Sequence, residues 1–103
     1  MFDAQEQNAE KLQEVDYDFP DACPGKSIVI TVNRSVYARV MDDENYQLYR
    51  NGEDCRAFQG HITSSPYRFK IPYGQHWHAV IDPHTLGGLA QFTVRLMDDA
   101  IID

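Results

Sequence analysis

From Gly25 onward, apolar residues recur at every second position in several short runs. Successive side chains of a strand point to opposite faces, so this spacing places the apolar side chains of each run on one face. The runs that follow it are KSIVITVN, SVYARVMD, PYRFKI, HWHAVID and AQFTVRLMD. The pattern favours a chain built mainly from half-buried strands.

The apolar faces of these runs predict the core. Turn signals, among them Gly60, Gly74 and Gly87-Gly88, separate the later runs at the spacing of a small antiparallel sandwich or barrel. We expect about five to seven strands around one core, with Trp77 near its centre. The short Asn33-Arg34 segment between the first two runs predicts a hairpin. The predicted inward positions are Ile28, Ile30, Val32, Val36, Ala38, Val40, Tyr67, Phe69, Ile71, Trp77, Ala79, Ile81, Phe92, Val94 and Leu96.

One stretch, DDENYQLYRNGED, departs from the period of two. Asp42 or Asp43 can cap a helix, Tyr46 and Tyr49 are one helical turn apart, and Gly52 stands where a short helix would end. We therefore expect one short helical turn or an ordered loop here.

Charge divides the chain into two parts. Residues 1–24 carry seven carboxylates against one lysine, a charge of −6, whereas residues 25–103 carry only −1 of the total of −7. The chain of 103 residues is long enough for one modest core. These observations predict an acidic N-terminal arm at 1–24, one β-sandwich domain at 25–99 and a short tail at 100–103.

The acidic arm has a weak helical pattern, opposed by like-charge pairs at helical spacing. It can remain solvated, because it has few apolar residues to bury. Alternatively, it docks on a basic partner or folds back on the body through Val15, Tyr17 and Phe19. Its charge argues against nucleic acid as a direct ligand, since binding phosphates needs clustered lysine and arginine.

The sequence contains no apolar run long enough to span a membrane and no apolar leader near the N-terminus. We expect a cytoplasmic protein without a membrane partner. Cys23 and Cys55 do not have the spacing of a zinc or thioredoxin motif and are expected to be unpaired thiols. No cofactor is expected.

His76 and His78 form a His-x-His pair on a predicted strand, which directs both imidazoles to one face. Metal-binding cupins use such a pair, and Asp82 continues the same parity. A metal site would need a further ligand, for which His84 and His61 are candidates. The favoured interpretation is that both histidines are solvent-facing strand residues, with a metal site built on His76, His78 and Asp82 as the alternative.

A hairpin across Tyr73-Gly74-Gln75 would place Lys70 beside His78. In that register the cationic side chains share one outer face, which would then receive the acidic arm or an acidic partner. Alternatively, they serve only to keep an outer face soluble. The four residues are Arg68, Lys70, His76 and His78.

Several segments together resemble a family of small bacterial β-sandwich domains of unknown function. The most specific are Met41-Asp42-Asp43-x-Asn45-Tyr46 followed by Arg50-x-Gly52, and HWHAVID followed by Gly87-Gly88. Members of that family occur alone or ahead of a Toll/interleukin-1 receptor-like domain. The resemblance implies an all-β fold and an accessory or sensing module in bacterial signalling or defence. It supplies no catalytic residues.

We therefore expect a non-enzymatic binding module that recognises a protein or a small ligand through an outer sheet face and the ENYQLYRNG loop. Tyr46, Tyr49 and Arg50 are the expected contact residues of that loop, because aromatic rings and a guanidinium offer stacking and bidentate hydrogen bonds. Alternatively, the two tyrosines pack the loop onto the sheet. An exposed edge strand could also join two copies of the chain.

Two other functions remain open at this point. One is a small metal-dependent, cupin-like enzyme that uses His76 and His78. The other is an acidic inhibitor that mimics nucleic acid, which would need carboxylates arrayed along an ordered surface.

Overall fold

The computed structural model describes residues 14–102, which form nine strands and two short helices. The small antiparallel all-β fold predicted from the alternating runs is confirmed, and a short helix, α1 Asp43–Arg50, forms in the stretch that departs from them. No helix in this range is long and apolar enough to cross a membrane. The elements are β1 Val15–Phe19, β2 Lys26–Val32, β3 Val36–Asp42, α1 Asp43–Arg50, β4 Phe58–Ile62, β5 Tyr67–Lys70, β6 Trp77–Asp82, β7 His84–Thr85, β8 Gly88–Leu89, β9 Phe92–Asp98 and α2 Asp99–Ile102.

The strands form two main sheets that enclose the core. Sheet A has the order β1-β6-β3-β4 and sheet B the order β5-β2-β9, while β7 and β8 form a separate two-stranded hairpin. All of these pairings are antiparallel. The hairpin predicted between β2 and β3 is wrong, because β5 and β9 occupy the two edges of β2 and the chain crosses to sheet A before β3.

The core lies between the inner faces of the two sheets. Ile28 and Ile30 from sheet B and Ala79 and Ile81 from sheet A are fully buried. Trp77 is 1% exposed, which confirms its predicted central position. Its indole nitrogen donates a hydrogen bond of 2.8 Å to the backbone oxygen of Tyr73, so the one polar atom of the ring is satisfied.

Inward positions near the sheet edges are less well covered than predicted. Tyr67, at the start of edge strand β5, lies opposite Ile30 and so faces inward as predicted, but it is 40% exposed. Val94 and Leu96 of β9 are only half-buried. In the described range neither β5 nor β9 has a further strand beside it, so these side chains have neighbours on one side only.

Strand β1 corrects the predicted boundary of the acidic arm. It pairs with β6 along its whole length, from Val15 opposite Ile81 to Phe19 opposite Trp77. Tyr17 and Phe19 pack against the core, as the alternative of a folded-back arm requires. The sandwich thus begins well before residue 25, and the rest of the predicted arm, residues 1–13, lies outside the described residues.

The predicted tail at 100–103 falls partly in α2. This turn follows β9 directly, and the backbone N–H of Asp99 donates to the carbonyl of Gly25 at 2.9 Å. The C-terminal end of the sandwich is therefore tied to the beginning of β2.

Replacing Tyr17 with alanine is expected to lower the free energy of unfolding by about 2 kcal/mol, because it removes a half-buried aromatic ring from the core. Chemical denaturation measures this change. Leu86→Ala is the control, since Leu86 is fully exposed and its loss should leave the midpoint unchanged. Equal midpoints for Tyr17→Ala and the unsubstituted chain would contradict the docking of β1.

Candidate functional site

The outward side of β1 presents a row of carboxylates. The alternation that turns Tyr17 inward directs Glu14, Asp16 and Asp18 toward the outer face of sheet A. Glu14 accepts a hydrogen bond of 3.1 Å from Arg39 and one of 2.7 Å from the Tyr49 hydroxyl. Burial, together with the hydrogen bond to Glu14, raises the pKa of Tyr49 to about 12. The first carboxylate of the row is thus held by β3 and by α1.

The second carboxylate of the row, Asp16, contacts side chains of α1. The Tyr46 hydroxyl donates a short hydrogen bond to Asp16 and accepts one of 3.0 Å from Arg50. Arg50 also lies 3.9 Å from the Asp16 carboxylate. Burial and the bond to Asp16 raise the pKa of Tyr46, so its hydroxyl keeps its proton. The hydroxyl of Tyr46 therefore already has hydrogen-bond partners within the protein.

Helix α1 is positioned by its N-cap. The Asp42 carboxylate accepts a hydrogen bond from the backbone N–H of Asn45 at 2.9 Å and another from the Tyr73 hydroxyl at 2.6 Å. The predicted capping by Asp42 is confirmed, and the helix runs for eight residues. Met41 and Val80, both at most 1% exposed, lie beneath Tyr46 in a small second core.

Four side chains gather where β1, β6 and the start of α1 meet: Asp18, Asp43, His76 and His78, here called the His–Asp cluster. Asp18 lies directly opposite His78 in the β1–β6 register. Its Oδ1 is 2.5 Å from His76 Nε2 and 3.5 Å from His78 Nδ1. On the other side of the two rings, Asp43 Oδ1 is 2.8 Å from His78 Nε2 and 3.7 Å from His76 Nδ1. Each imidazole thus lies between two carboxylates.

His78 is the most buried member of the His–Asp cluster. It is 5% exposed, and its ring stacks on that of Tyr46 with centroids 3.8 Å apart and planes at 9°. The hydrogen bond from His78 is the main reason why the pKa of Asp43 is lowered, so this carboxyl stays ionised. The interpretation of His78 as a solvent-facing strand residue is wrong, because α1 covers this part of β6.

Asp82 does not join the histidines as the metal-site alternative assumed. It shares their parity on β6, but it lies four residues beyond His78, roughly 13 Å along the strand. There its Oδ1 contacts His84 Nδ1 at 2.8 Å. The carboxylates that do meet His76 and His78 come from β1 and α1, and the sequence pattern on β6 contains no signal for either.

Arg68 and Lys70 lie on the opposite side of the molecule from the histidines. The predicted common face is wrong, because β5 pairs with β2 of sheet B while β6 belongs to sheet A. Residues 71–76 therefore cross between the sheets and do not close a hairpin. Asp18, from the predicted acidic arm, lies 2.5 Å from His76, which agrees in part with the alternative that the arm docks on the histidines.

The outer face of sheet B carries a shallow groove of about 300 Å³, here called the arginine groove. Val29 forms its floor and lies opposite Arg68 on one side and Arg95 on the other. Although it points outward, Val29 is only 9% exposed, so long side chains of the neighbouring strands cover it. The groove is lined by Val29, Thr31, Pro66, Arg68, Thr93, Arg95 and Met97.

The cations of this face are not neutralised within residues 14–102. Arg68, Lys70 and Arg95 are exposed, and none of them lies within 4.0 Å of a carboxylate in that range. Asp99, close to one end of the face, accepts a hydrogen bond of 2.5 Å from the Ser27 hydroxyl instead. The face therefore has positive charge available for a ligand.

The three residues expected to make contacts from α1 differ in exposure. Tyr46 is 7% exposed, Tyr49 is half-buried and Arg50 is exposed. The structure agrees with the alternative in which the tyrosines pack this segment onto the sheet. Only Arg50 offers an accessible side chain.

Replacing Tyr46 with alanine is expected to lower the free energy of unfolding by about 3 kcal/mol, because the ring fills the second core and stacks on His78. Arg50→Ala, one turn later on the same helix, should leave the melting temperature nearly unchanged, because its side chain is 61% exposed and exposed ion pairs contribute little to stability. Thermal unfolding of both variants checks this difference. If Arg50→Ala greatly lowered the melting temperature and Tyr46→Ala did not, Tyr46 would not be the packing residue and Arg50 would not be the surface residue.

Acid stability should depend on Asp42. Burial works against its ionised form, but the hydrogen bonds from Tyr73 and Asn45 outweigh it and lower the pKa of Asp42 below 3.8. A carboxyl whose pKa is lower in the folded than in the unfolded state stabilises above the unfolded value, and this contribution is lost as the pH falls through the folded value.

Asp42→Asn keeps a capping side chain but removes the titration. The unsubstituted chain should therefore lose more unfolding free energy than Asp42→Asn between about pH 5 and about pH 2. Denaturation at a series of pH values measures the two curves, with exposed Asp54→Asn as the control that should follow the unsubstituted chain. Parallel curves for Asp42→Asn and the unsubstituted chain would show that the lowered pKa of Asp42 does not contribute to stability.

Comparison with known proteins matches most of the chain to a protein family. No curated protein and no solved structure shows a significant match to the chain. Residues 12–100 match a family described as a domain of unknown function, so the match includes β1 and every other described strand. The chain belongs to this family, the domain of unknown function DUF1883.

Proposed function

We propose that the chain is a non-enzymatic binding module that holds an acidic segment of a partner protein in the arginine groove. The observation that carries this proposal is the row Arg68–Val29–Arg95 across sheet B, in which two exposed guanidinium groups flank one buried aliphatic side chain. Within residues 14–102 neither guanidinium has a carboxylate partner.

The chemistry of the row suits carboxylates. A guanidinium offers two parallel N–H donors that match the two oxygens of a carboxylate. The hydroxyl groups of Thr31 and Thr93, which lie opposite each other in the next row, add neutral donors. Val29 and Met97 supply apolar surface on which an aliphatic side chain between two acidic residues can rest.

The geometry favours a protein segment over nucleic acid. Three cations on one small face are few for a nucleic-acid site, which gains its affinity from many phosphate contacts. A short acidic segment needs only the two arginines and the groove between them.

Sheet A is the less suitable face for such a partner. Arg39 of β3 and Arg50 of α1, which packs on this sheet, already lie beside Glu14 and Asp16. The same pairing argues against a nucleic-acid mimic on the described residues, because the outward carboxylates of β1 are already bonded to neighbouring side chains.

A place in bacterial signalling or defence follows from the resemblance to small β-sandwich domains that occur alone or ahead of Toll/interleukin-1 receptor-like domains. In such a role the module would act in the cytoplasm by bringing its partner to a signalling protein. Within residues 14–102 no strand pairs with the outer edge of β9, so a second copy of the chain could pair with it, as exposed edge strands can.

Arg68→Ala combined with Arg95→Ala is expected to weaken binding of an acidic peptide by about tenfold or more, because two charge-assisted hydrogen-bonding groups are lost. The probe is a soluble peptide in which glutamate alternates with valine. Titration into the isotope-labelled chain, followed by NMR, gives both the affinity and the residues whose signals shift. The shifts should fall on β2, β5 and β9.

The control variant combines Arg34→Ala with Arg56→Ala, which removes the same charge from exposed positions outside the groove. It should bind the peptide nearly as well as the unsubstituted chain. A peptide in which lysine replaces glutamate should cause no shifts. Shifts confined to α1 and β6, or equal weakening by the two double variants, would overturn the proposal.

A further inference from the structure

We propose that Asp18, His76 and His78 form a binding site for a divalent transition-metal ion, with Zn²⁺ as the best match. Each of the three residues offers one ligand atom, and these atoms lie within 4.8 Å of one another. The site is on sheet A, on the opposite side of the core from the arginine groove, so it is independent of the proposed partner binding.

The donor atoms converge from two adjacent strands. Asp18 and His78 are direct neighbours in the β1–β6 register, and His76 immediately precedes β6. Asp18 Oδ1 is 3.5 Å from His78 Nδ1, close to the roughly 3.4 Å that separates two ligands of a tetrahedral zinc ion with bonds of about 2.1 Å. It is 2.5 Å from His76 Nε2, so this ring would have to move outward by about 1 Å on binding.

The exposure of the three side chains allows that movement. The side chain of His76 is 38% exposed and that of Asp18 is 61% exposed, whereas that of His78 is 6% exposed. One ligand is therefore fixed and two can adjust around the ion. Solvent can reach the same side and supply a fourth ligand, as it does in zinc sites with three protein ligands.

Asp43 and Tyr46 fix the orientation of His78. Asp43 Oδ1 lies 2.8 Å from His78 Nε2, and in the tautomer that donates Nε2–H to it, His78 directs its Nδ1 lone pair toward Asp18. A carboxylate that accepts the second N–H of a histidine ligand is the usual support for such a ligand. The stacked ring of Tyr46 keeps the imidazole in this plane.

The donor set selects the class of ion. Two imidazole nitrogens with one carboxylate oxygen suit zinc and neighbouring transition metals, while Ca²⁺ and Mg²⁺ prefer all-oxygen sites. A His–Asp contact alone is not the distinguishing feature, since His84 and Asp82 also form one at 2.8 Å. That pair has no third ligand in the described range, which makes it the natural control.

Isothermal titration of the untagged, reduced full-length chain with Zn²⁺ tests the site. The unsubstituted chain should bind about one ion, and Asp18→Ala and His76→Ala should each weaken the affinity at least about tenfold. His84→Ala should bind as the unsubstituted chain does. Ca²⁺ and Mg²⁺ should give no saturable heat. The substituted ligands are the two exposed ones, so the variants are expected to fold, and circular dichroism checks this.

Three results would overturn the proposal. The first is an unsubstituted chain that binds no Zn²⁺. The second is an unchanged affinity in both Asp18→Ala and His76→Ala, which would locate any bound ion elsewhere, for example on the thiols of Cys23 and Cys55. The third is an equal loss in His84→Ala, which would show that surface histidines bind the ion without a defined site.

Discussion

The pairing of β1 with β6 is the contact on which the outer face of sheet A depends. Tyr17 and Phe19 on one side of β1 pack against the core, and the alternation of the strand then directs Glu14, Asp16 and Asp18 to the other side. Each of these carboxylates meets a donor from α1, β3 or β6. One short strand therefore covers an edge of the core and also positions Tyr46, Arg39 and the two histidines.

This arrangement separates the charges of the molecule into two different surfaces. On sheet A, acidic residues of β1 neutralise the nearby cations, and the remaining features are the buried His78 and the carboxylates beside it. On sheet B, Arg68 and Arg95 flank Val29 without a carboxylate partner in the described range. The first surface is suited to a small cation and the second to an acidic ligand. The two proposals rest on different residues and can fail separately.

Local patterns were sufficient for β2, β3, β5, β6 and β9, for α1 and for most of the core, whereas β1, β4, β7 and β8 were not predicted as strands. The alternation around Ile28 and Ile30 reflects burial of one strand face, and the Asp42 cap is a contact between residues close in sequence. Sheet membership was not predictable in the same way. β5 and β6 are neighbours in the chain but belong to different sheets, because long-range pairing with β2 and β3 decides their places. For the same reason the sequence offered Asp82 as the companion of the histidines, whereas register brings Asp18.

The position of β1 is the central claim, and cross-strand nuclear Overhauser effects in the full-length chain test it most directly. The structure predicts backbone contacts between Tyr17 and Ala79 and between Asp18 and His78, together with slow amide exchange in the hydrogen-bonded positions of β1. Random-coil chemical shifts for residues 15–19, with no contacts to β6, would contradict it. In that case neither the support of α1 by the acidic strand nor the proposed metal site would stand.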